Sequence, residues 1–336
     1  MSGPIGLAPC RGAQHRCERL IGCVAAGLLL ILSGSTSTLA ALDDDLKLLL
    51  PPISADHSPM VARIRQAFRS RDTVFMQKKI DELISEEPAS FEGYFWQGFL
   101  ELQKRNNYDA VRFLRRAEVL DANPYVLKLL AFSYYFLDQF QLFTLTMKEA
   151  LRKQPSDSAP HYYLGRYFAS TDAPDFAQAA GHFQQALKLD PNHYPSHYYL
   201  GYCHEAERRL KDAEAEYLRS LELAEAAGEK FALPRLGLAR LRLLEGRPTE
   251  AVVLGKQAVQ LAPDDAASHV VLAKAYAALG RTAQEALEWE QAAALDLRDP
   301  VPYYHLYRIY STLGERTKAD QALGKYKRLV AIYGTR

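Results

Sequence analysis

Large side chains along the chain recur with the spacing of one helix face. Three stretches place them at i, i+3, i+7 and i+10, the pattern of an amphipathic α-helix with one buried stripe. These are Leu127, Leu130, Tyr134 and Leu137; His269, Leu272, Tyr276 and Leu279; and Tyr303, Leu306, Tyr310 and Leu313. Proline follows several segments, at Pro155, Pro191 and Pro263. Because proline cannot continue the hydrogen bonds of a helix, the pattern predicts a chain of short helices with defined ends.

The helical pattern is repeated along the chain. His161-Tyr-Tyr-Leu-Gly165 and His197-Tyr-Tyr-Leu-Gly201 stand 36 residues apart. Each is followed by a second amphipathic segment, residues 179–189 and residues 213–223. A period of this size with two helical segments per unit is typical of helical solenoids, in which each repeat packs on its neighbours.

Small side chains recur at three places in successive units. The residues at these places are Gly98, Ala110 and Ala117; Ala131, Phe143 and Ala150; Gly165, Ala179 and Ala186; Gly201, Ala213 and Ser220; Ala239, Ala251 and Ala258; Ala273, Glu285 and Ala292; and Tyr307, Ala319 and Tyr326. Phe143 is a large exception, and Ala286 is a plausible substitute for Glu285. Small side chains let two helices approach closely, which large side chains would prevent.

This spacing resembles the tetratricopeptide repeat (TPR), whose 34-residue unit has small residues at its eighth, twentieth and twenty-seventh positions. The resemblance extends roughly over residues 57–333. It implies an all-α fold, a right-handed superhelical solenoid of antiparallel helix pairs. Tyr307 and Tyr326 occupy small positions of the last unit, as expected for a terminal repeat on which no further helix packs.

The repeat pattern divides the chain into segments. Residues 1–40 are a predicted signal peptide or N-terminal membrane anchor, residues 41–57 a linker, and residues 58–90 a degenerate helical repeat. Seven repeats follow: 91–123, 124–157, 158–193, 194–231, 232–265, 266–299 and 300–333.

The first forty residues have the composition of an export signal. Arg11, Arg16 and Arg19 precede an apolar run over residues 20–32, and Thr38-Leu39-Ala40 offers a small-x-small cleavage site. The alternative is an uncleaved anchor, because residues 20–41 could just span a bilayer. Three of the four cysteines precede residue 24, so a cleaved chain retains Cys203 and forms no intramolecular disulfide. We expect an exported protein, periplasmic or anchored in a membrane and facing the periplasm or the outside.

Charge and motifs favour binding over catalysis. A net charge of +1 carries no electrostatic footprint for nucleic acid. The predicted repeats occupy almost the whole chain. The sequence contains no nucleophile elbow, phosphate-binding loop or zinc-protease motif. His193, His197 and His204 are the best metal candidates, but the last two fall at stripe positions of the repeat, which favours a structural role. We therefore predict a non-enzymatic protein without metal or cofactor.

The resemblance implies where a partner would bind. TPR proteins bind extended peptides on a concave surface formed by the first helix of each repeat, at its second, fifth, ninth and twelfth positions. The corresponding residues here are Phe95, Phe99, Lys128, Phe132, Tyr135, Tyr162, Arg166, Tyr198, Tyr202, Arg240, Lys274, Tyr304 and Arg308. Such an aromatic and cationic groove suits peptides with apolar and acidic side chains. The alternative is that several of these tyrosines pack between neighbouring helices.

The expected function is a protein-binding scaffold or adaptor in the cell envelope, with a peptide or helix of another protein as its partner. Two alternatives remain open. The first is a structural unit that self-associates through its terminal repeat, where Tyr307, Tyr326, Leu329, Val330 and Ile332 are expected to be exposed. The second is an accessory subunit of a separately encoded envelope enzyme.

Overall fold

The computed structural model describes residues 50, 58–171 and 173–334. This part of the chain contains sixteen α-helices and no strand. The helices are α1 Pro59–Arg69, α2 Thr73–Glu86, α3 Phe91–Gln103, α4 Asn107–Leu120, α5 Pro124–Phe136, α6 Phe140–Lys153, α7 Ala159–Ser170, α8 Phe176–Leu189, α9 Tyr194–Ala206, α10 Leu210–Ala226, α11 Leu233–Leu244, α12 Pro248–Leu261, α13 Ala266–Ala278, α14 Thr282–Leu295, α15 Val301–Thr312 and α16 Arg316–Tyr333. The predicted export segment and the whole linker except Leu50 lie outside the described residues.

Successive helices pack on one another from α1 to α6 and from α9 to α16, as expected for an all-α TPR solenoid. We call the odd-numbered helices A helices and the even-numbered ones B helices, since they form the first and second halves of the helix pairs. The chain divides into two compact bodies. Among the described residues, the N-terminal body comprises residues 50, 58–165 and 182–191, and the C-terminal body comprises residues 166–171, 173–181 and 192–334.

Side-chain caps define where several A helices begin. The hydroxyl of Ser90 accepts a hydrogen bond from the amide of Glu92, and the side chain of Asn123 accepts bonds from two amides of α5. Asp265 does the same for Ala267 and Ser268 at the start of α13. Each cap satisfies donors that have no partner within the helix, so it sets the first residue of that helix.

The turn between an A helix and its B helix often contains a residue in the left-handed region. Glycine serves at Gly246, Gly280 and Gly314, with φ between 67° and 75°. Arg71, Arg105, Asp138 and Arg208 adopt the same conformation elsewhere, with φ between 57° and 63°. In the left-handed region a Cβ atom lies too close to the following carbonyl oxygen. The turns at Arg71, Arg105, Asp138 and Arg208 are therefore less favourable than the glycine turns.

The small positions are the contacts between helices. A Cβ atom added to Gly98 would lie 2.5 Å from Cγ of Leu114, and one added to Gly165 would lie 2.8 Å from the ring of Phe183. Ala110, Ala131, Ala213, Ala239 and Ala273 have no exposed surface. Close helix approach therefore depends on these small residues, as the repeat pattern predicts.

The exceptions to the small-residue pattern are accommodated locally. Phe143 is buried, and its ring centroid lies 5.4 Å from that of Tyr135. Ala286 is buried in the sixth repeat, in the core cluster that also contains Ala273 and Trp289. Large side chains are tolerated where a neighbouring ring fills the same layer.

The last helix covers part of the apolar residues that the sequence analysis expects to be exposed. Tyr307, Tyr326 and Leu329 pack, partly buried, against the core formed by α14, α15 and α16. Val330 is half-buried, and Ile332 remains 53% exposed. The apolar surface at the end of α16 is therefore smaller than the sequence suggests.

Candidate peptide-binding surface

In the N-terminal body, the residues predicted for the groove are mainly packing residues. Phe95, Phe99, Phe132 and Tyr162 are at most 5% exposed, and Tyr135 is half-buried. Their rings meet other rings of the same body edge-on: Phe99 lies 5.1 Å from Phe68, Phe95 5.5 Å from Trp96, and Phe132 4.6 Å from Tyr163. These side chains offer little surface to a ligand.

Lys128 is a buried ion-pair member in the same body. Its Nζ lies 2.6 Å from a carboxylate oxygen of Asp157 and 4.6 Å from the ring centre of Tyr125. A cation that is 2% exposed and already paired does not orient a peptide carboxylate directly. Its evident role is to connect α5 with the turn that follows α6.

The first groove residues of the C-terminal body are also mostly covered. Arg166 is buried, with its guanidinium 5.4 Å from the ring centre of Tyr199. Tyr198 is buried, whereas Tyr202 is half-buried and lies 5.9 Å from the ring of Phe176. Of these three, Tyr202 retains the most surface for a ligand.

A hydrogen-bonded cluster lies around Arg240. The guanidinium donates to both carboxylate oxygens of Glu205, at 2.9 and 2.8 Å, and to the hydroxyl of Tyr217 at 3.2 Å. Tyr217 in turn donates to Glu205 at 2.6 Å. Bidentate pairing of this kind is among the stronger charged interactions in proteins, so Arg240 is engaged within the solenoid.

Burial and charge tune the groups of this cluster. Burial raises the pKa of Tyr217 and of Tyr198, so both phenols stay protonated. Burial acts to lower the pKa of Arg240, but the hydrogen bonds that it donates to Glu205 raise the pKa well above its ordinary value. Tyr198 and Tyr217 therefore stay neutral and Arg240 stays charged at neutral pH.

Tyr217 is a residue that the sequence analysis did not assign to the site. A Cβ added to Gly201 or to Gly237 would lie 2.8 or 2.6 Å from its ring. The two glycines, on α9 and α11, therefore make room for the ring of an α10 residue. The signal in the sequence was the second glycine, Gly237, which stands outside the three small positions of its repeat.

The exposed predicted residues lie on α13 and α15, the last two A helices of the C-terminal body. Lys274 on α13 and Arg308 on α15 are exposed, and Tyr304 is 41% exposed. The guanidinium of Arg308 lies 6.0 Å from the ring centre of Tyr304. Burial and the positive charges of Lys274 and Arg308 lower the pKa of the half-buried His305. We call these four residues the C-terminal cationic surface.

The cations of this surface differ from the others in the predicted groove. Within the described residues, neither Lys274 nor Arg308 forms an ion pair with a carboxylate, whereas Lys128 pairs with Asp157 and Arg240 with Glu205. The C-terminal cationic surface therefore presents positive charge that the fold does not use. It can attract and orient an acidic ligand.

Two of the three histidines considered for metal binding, His193 and His197, contact other side chains, and His193 Nδ1 lies 2.7 Å from the hydroxyl oxygen of Ser196. His197 Nδ1 lies 2.6 Å from a carboxylate oxygen of Glu216, and His269 makes the same contact with Glu288 at 2.7 Å. Both pairs join an A helix to the B helix of the same repeat. The described residues contain no group of three or more His, Cys, Asp or Glu side chains arranged to hold a metal ion.

No helix in the described part of the chain has the length and apolar character needed to cross a membrane. The predicted anchor or signal lies outside that part.

Comparison with known proteins identifies the repeats. Models of the tetratricopeptide repeat match residues 171–230 and 242–308. The chain is 27% identical over 313 residues to tetratricopeptide repeat protein 37 of Xenopus laevis, covering 90% of this chain and 19% of that protein. It therefore spans about a fifth of the length of that relative.

Solved structures resemble the fold. The Cut9–Hcn1 structure from the APC/C hetero-tetramer has a TM-score of 0.65 at 14% identity, covering 84% of this chain and 54% of the other. PilF of Pseudomonas aeruginosa has a TM-score of 0.55 at 17% identity, covering 69% of this chain and 99% of the other. Together these findings define a helical repeat protein with an all-α solenoid fold, in which residues 171–230 and 242–308 match the tetratricopeptide repeat.

Proposed function

We propose that this chain is a non-catalytic scaffold that binds a segment of another protein at the C-terminal cationic surface. The observation that supports this location is the exposure of Lys274 and Arg308 on A helices, where neither forms an ion pair with a carboxylate of the described residues. Tyr304 adds an aromatic ring beside them. Aromatic rings provide broad contact area and the cations orient carboxylates, so the surface suits an extended acidic segment with apolar side chains.

The proposed contact area is narrower than the groove that the family resemblance implies. Tyr202 is a further candidate contact because it is half-buried. Arg240 is half-buried too, but its guanidinium is held by Glu205 and Tyr217. We therefore assign ligand contact first to Lys274, Tyr304 and Arg308, and give the buried residues of the predicted groove a supporting role.

Charge reversal at the surface tests this function. The full chain is used to capture partners from envelope fractions, and the variant Lys274→Glu with Arg308→Glu is compared with wild type. The control is Lys211→Glu with Lys256→Glu, which reverses two exposed cations on the B helices α10 and α12. Both variants change the net charge equally, so they separate a local effect from a general electrostatic one.

We expect wild type and control to capture the same protein and the site variant to lose it. Equal capture by all three would overturn the assignment of this surface. Substitution of Tyr198 is less suitable as a test because its ring is buried between helices and its loss would disturb packing.

We also propose that the protein works in the cell envelope. The support is the sequence of residues 1–40, in which arginines precede an apolar run and a small-x-small site. Fractionation of the host followed by intact mass measurement tests this proposal. A chain shortened after residue 40 in the soluble envelope fraction indicates cleavage, and a full-length chain in the membrane indicates an anchor. A full-length chain in the cytosol would contradict both.

A further inference from the structure

The arrangement around His305 points to a proton-coupled binding site. We propose that a carboxylate of an acidic partner segment binds at Lys274 and Arg308, and that this binding causes His305 to take up a proton. This inference rests on the proposed function, because it concerns the same surface. It adds the chemistry of the bound group and a dependence of partner affinity on pH.

His305 is held in place beside the two cations. Its ring stacks on the buried indole of Trp289, with the centroids 4.1 Å apart and the planes 4° from parallel. Arg308 follows it by three residues on α15, so the two side chains lie on the same side of that helix. Besides burial, the positive charge of Lys274, on α13, lowers the pKa of His305. The imidazole therefore has a fixed position next to the proposed binding site.

The neutral form of His305 is favoured in the free protein. Burial lowers its pKa, and the positive charges of Lys274 and Arg308 lower it further. The nearby carboxylates contact other groups. On α14, Glu288 contacts His269, Glu290 contacts Tyr310, and Glu285 contacts the indole of Trp289. Glu315, which precedes α16, pairs with Lys318. Two further titratable groups of α16, Lys325 and Tyr326, face the rings of Tyr303 and Tyr304.

His269 shows within the same body what a carboxylate does to a histidine. The Glu288 carboxylate lies 2.7 Å from its Nδ1 and raises the pKa of His269. A partner carboxylate placed at Lys274 and Arg308 would offset the two positive charges near His305. We expect it to raise the pKa of His305 in the same direction.

The sign of the pH effect follows from this shift. Between the pKa of His305 in the free protein and its higher pKa in the complex, binding takes up a proton. Affinity therefore rises as pH falls through this interval, and levels off below the free-state pKa. Each unit by which binding raises the pKa contributes up to about tenfold in affinity.

The probe for this proposal is a rhodamine-labelled peptide of glutamate and leucine residues separated by serine, with a glutamine version as its control. Binding to the full chain is measured by fluorescence anisotropy from about pH 8 to pH 5.5, where glutamates remain ionised. Calorimetry in buffers of different ionisation enthalpy measures the proton uptake. The test variant is His305→Phe, which keeps a ring over Trp289 but does not titrate.

We expect wild type to bind the glutamate peptide more tightly at low pH, with net proton uptake. His305→Phe should bind with an affinity that changes little over the same range, and Lys274→Gln with Arg308→Gln should bind weakly at every pH. Circular dichroism and thermal unfolding check that each variant folds.

The possible failures are distinguishable. Wild type that binds no glutamate peptide at any pH would overturn the proposed function at this surface together with the proton coupling. An unchanged pH dependence in His305→Phe would overturn only the coupling. Equal binding of the glutamine peptide would overturn the acidic class of partner. Short single-stranded DNA or anionic vesicles are added as competitors. If either displaces the peptide at a concentration below that of the peptide, the partner of this surface is not a protein.

Discussion

At the scale of single residues, Tyr217 depends on the absence of two side chains. Its ring occupies the space beside Gly201 and Gly237, and it donates to Glu205. The ring is buried, and an added methyl group on either glycine would meet ring carbons closer than 3.0 Å. The side chain has no free space in which to move, so the backbones of α9 and α11 would have to shift.

Gly237→Ala is therefore expected to destabilise the protein by about 1–3 kcal/mol, the usual cost of overpacking a core. The matched control is Gly324→Ala in α16, where an added Cβ meets nothing within 4 Å. Alanine there should stabilise the helix by roughly 0.5–1 kcal/mol. Urea denaturation measures both changes, and a Gly237→Ala variant that is as stable as wild type or more stable would contradict the tight packing.

A second effect at this scale concerns the turn at Arg208. Its φ of 63° places a residue with a Cβ in the left-handed region, and its side chain is exposed. Arg208→Gly should stabilise the protein by roughly 0.5 kcal/mol, since the relief of steric cost exceeds the extra chain entropy of glycine. Arg219→Gly, in the middle of α10, is the control and should destabilise by about 1 kcal/mol. A loss at both positions, measured by thermal unfolding, would refute the explanation.

At the scale of helices, charged pairs connect neighbouring elements of the C-terminal body. His269 on α13 contacts Glu288 on α14, and both side chains are largely buried. The hydrogen bond that His269 donates to the Glu288 carboxylate raises the pKa of His269 above its ordinary value of 6.5. The protonated pair therefore stabilises the fold below the unfolded-state pKa, and this contribution is lost as pH rises through the higher folded-state pKa.

Glu288→Gln is expected to remove this contribution while retaining a hydrogen-bonding side chain of the same shape. The difference in unfolding free energy between wild type and Glu288→Gln should thus be larger at pH 6 than at pH 8.5. Chemical denaturation at the two pH values measures it. A difference that is constant, or that grows with pH, would show that the charge of His269 does not stabilise the contact between α13 and α14.

The helix pairs were predictable because close approach demands small residues at a regular spacing, as at Gly98 and Gly165. The exposure of groove residues was less predictable. Phe132 and Tyr198 occupy positions that bind ligands in other TPR proteins, but here their aromatic rings pack on neighbouring side chains of the same body. Whether Arg240 is available to a ligand depends on Glu205, which is 35 residues away in the sequence. The ion pair between them therefore cannot be predicted from one repeat alone.

At the scale of the whole molecule, a repeat protein is stabilised by contacts between neighbours, so a helix that packs on one neighbouring helix has fewer of them than a helix that packs on two. In the C-terminal body, α16 buries Ala319 and Ala322, while much of its remaining surface is exposed. The internal helix α10 instead packs on both α9 and α11 and holds the buried ring of Tyr217. Local opening should therefore cost less free energy at α16 than at α10.

Hydrogen exchange followed by mass spectrometry tests this difference. Peptides from α16 are expected to exchange substantially faster than those from α10, and to do so without a loss of protection in α9 and α11. A partner that binds Lys274, Tyr304 and Arg308 on the adjacent A helices should slow exchange in α15 first, with α16 following because Tyr326 packs on Tyr304. Equal protection of α10 and α16 in the free protein would mean that the C-terminal body opens only as a whole.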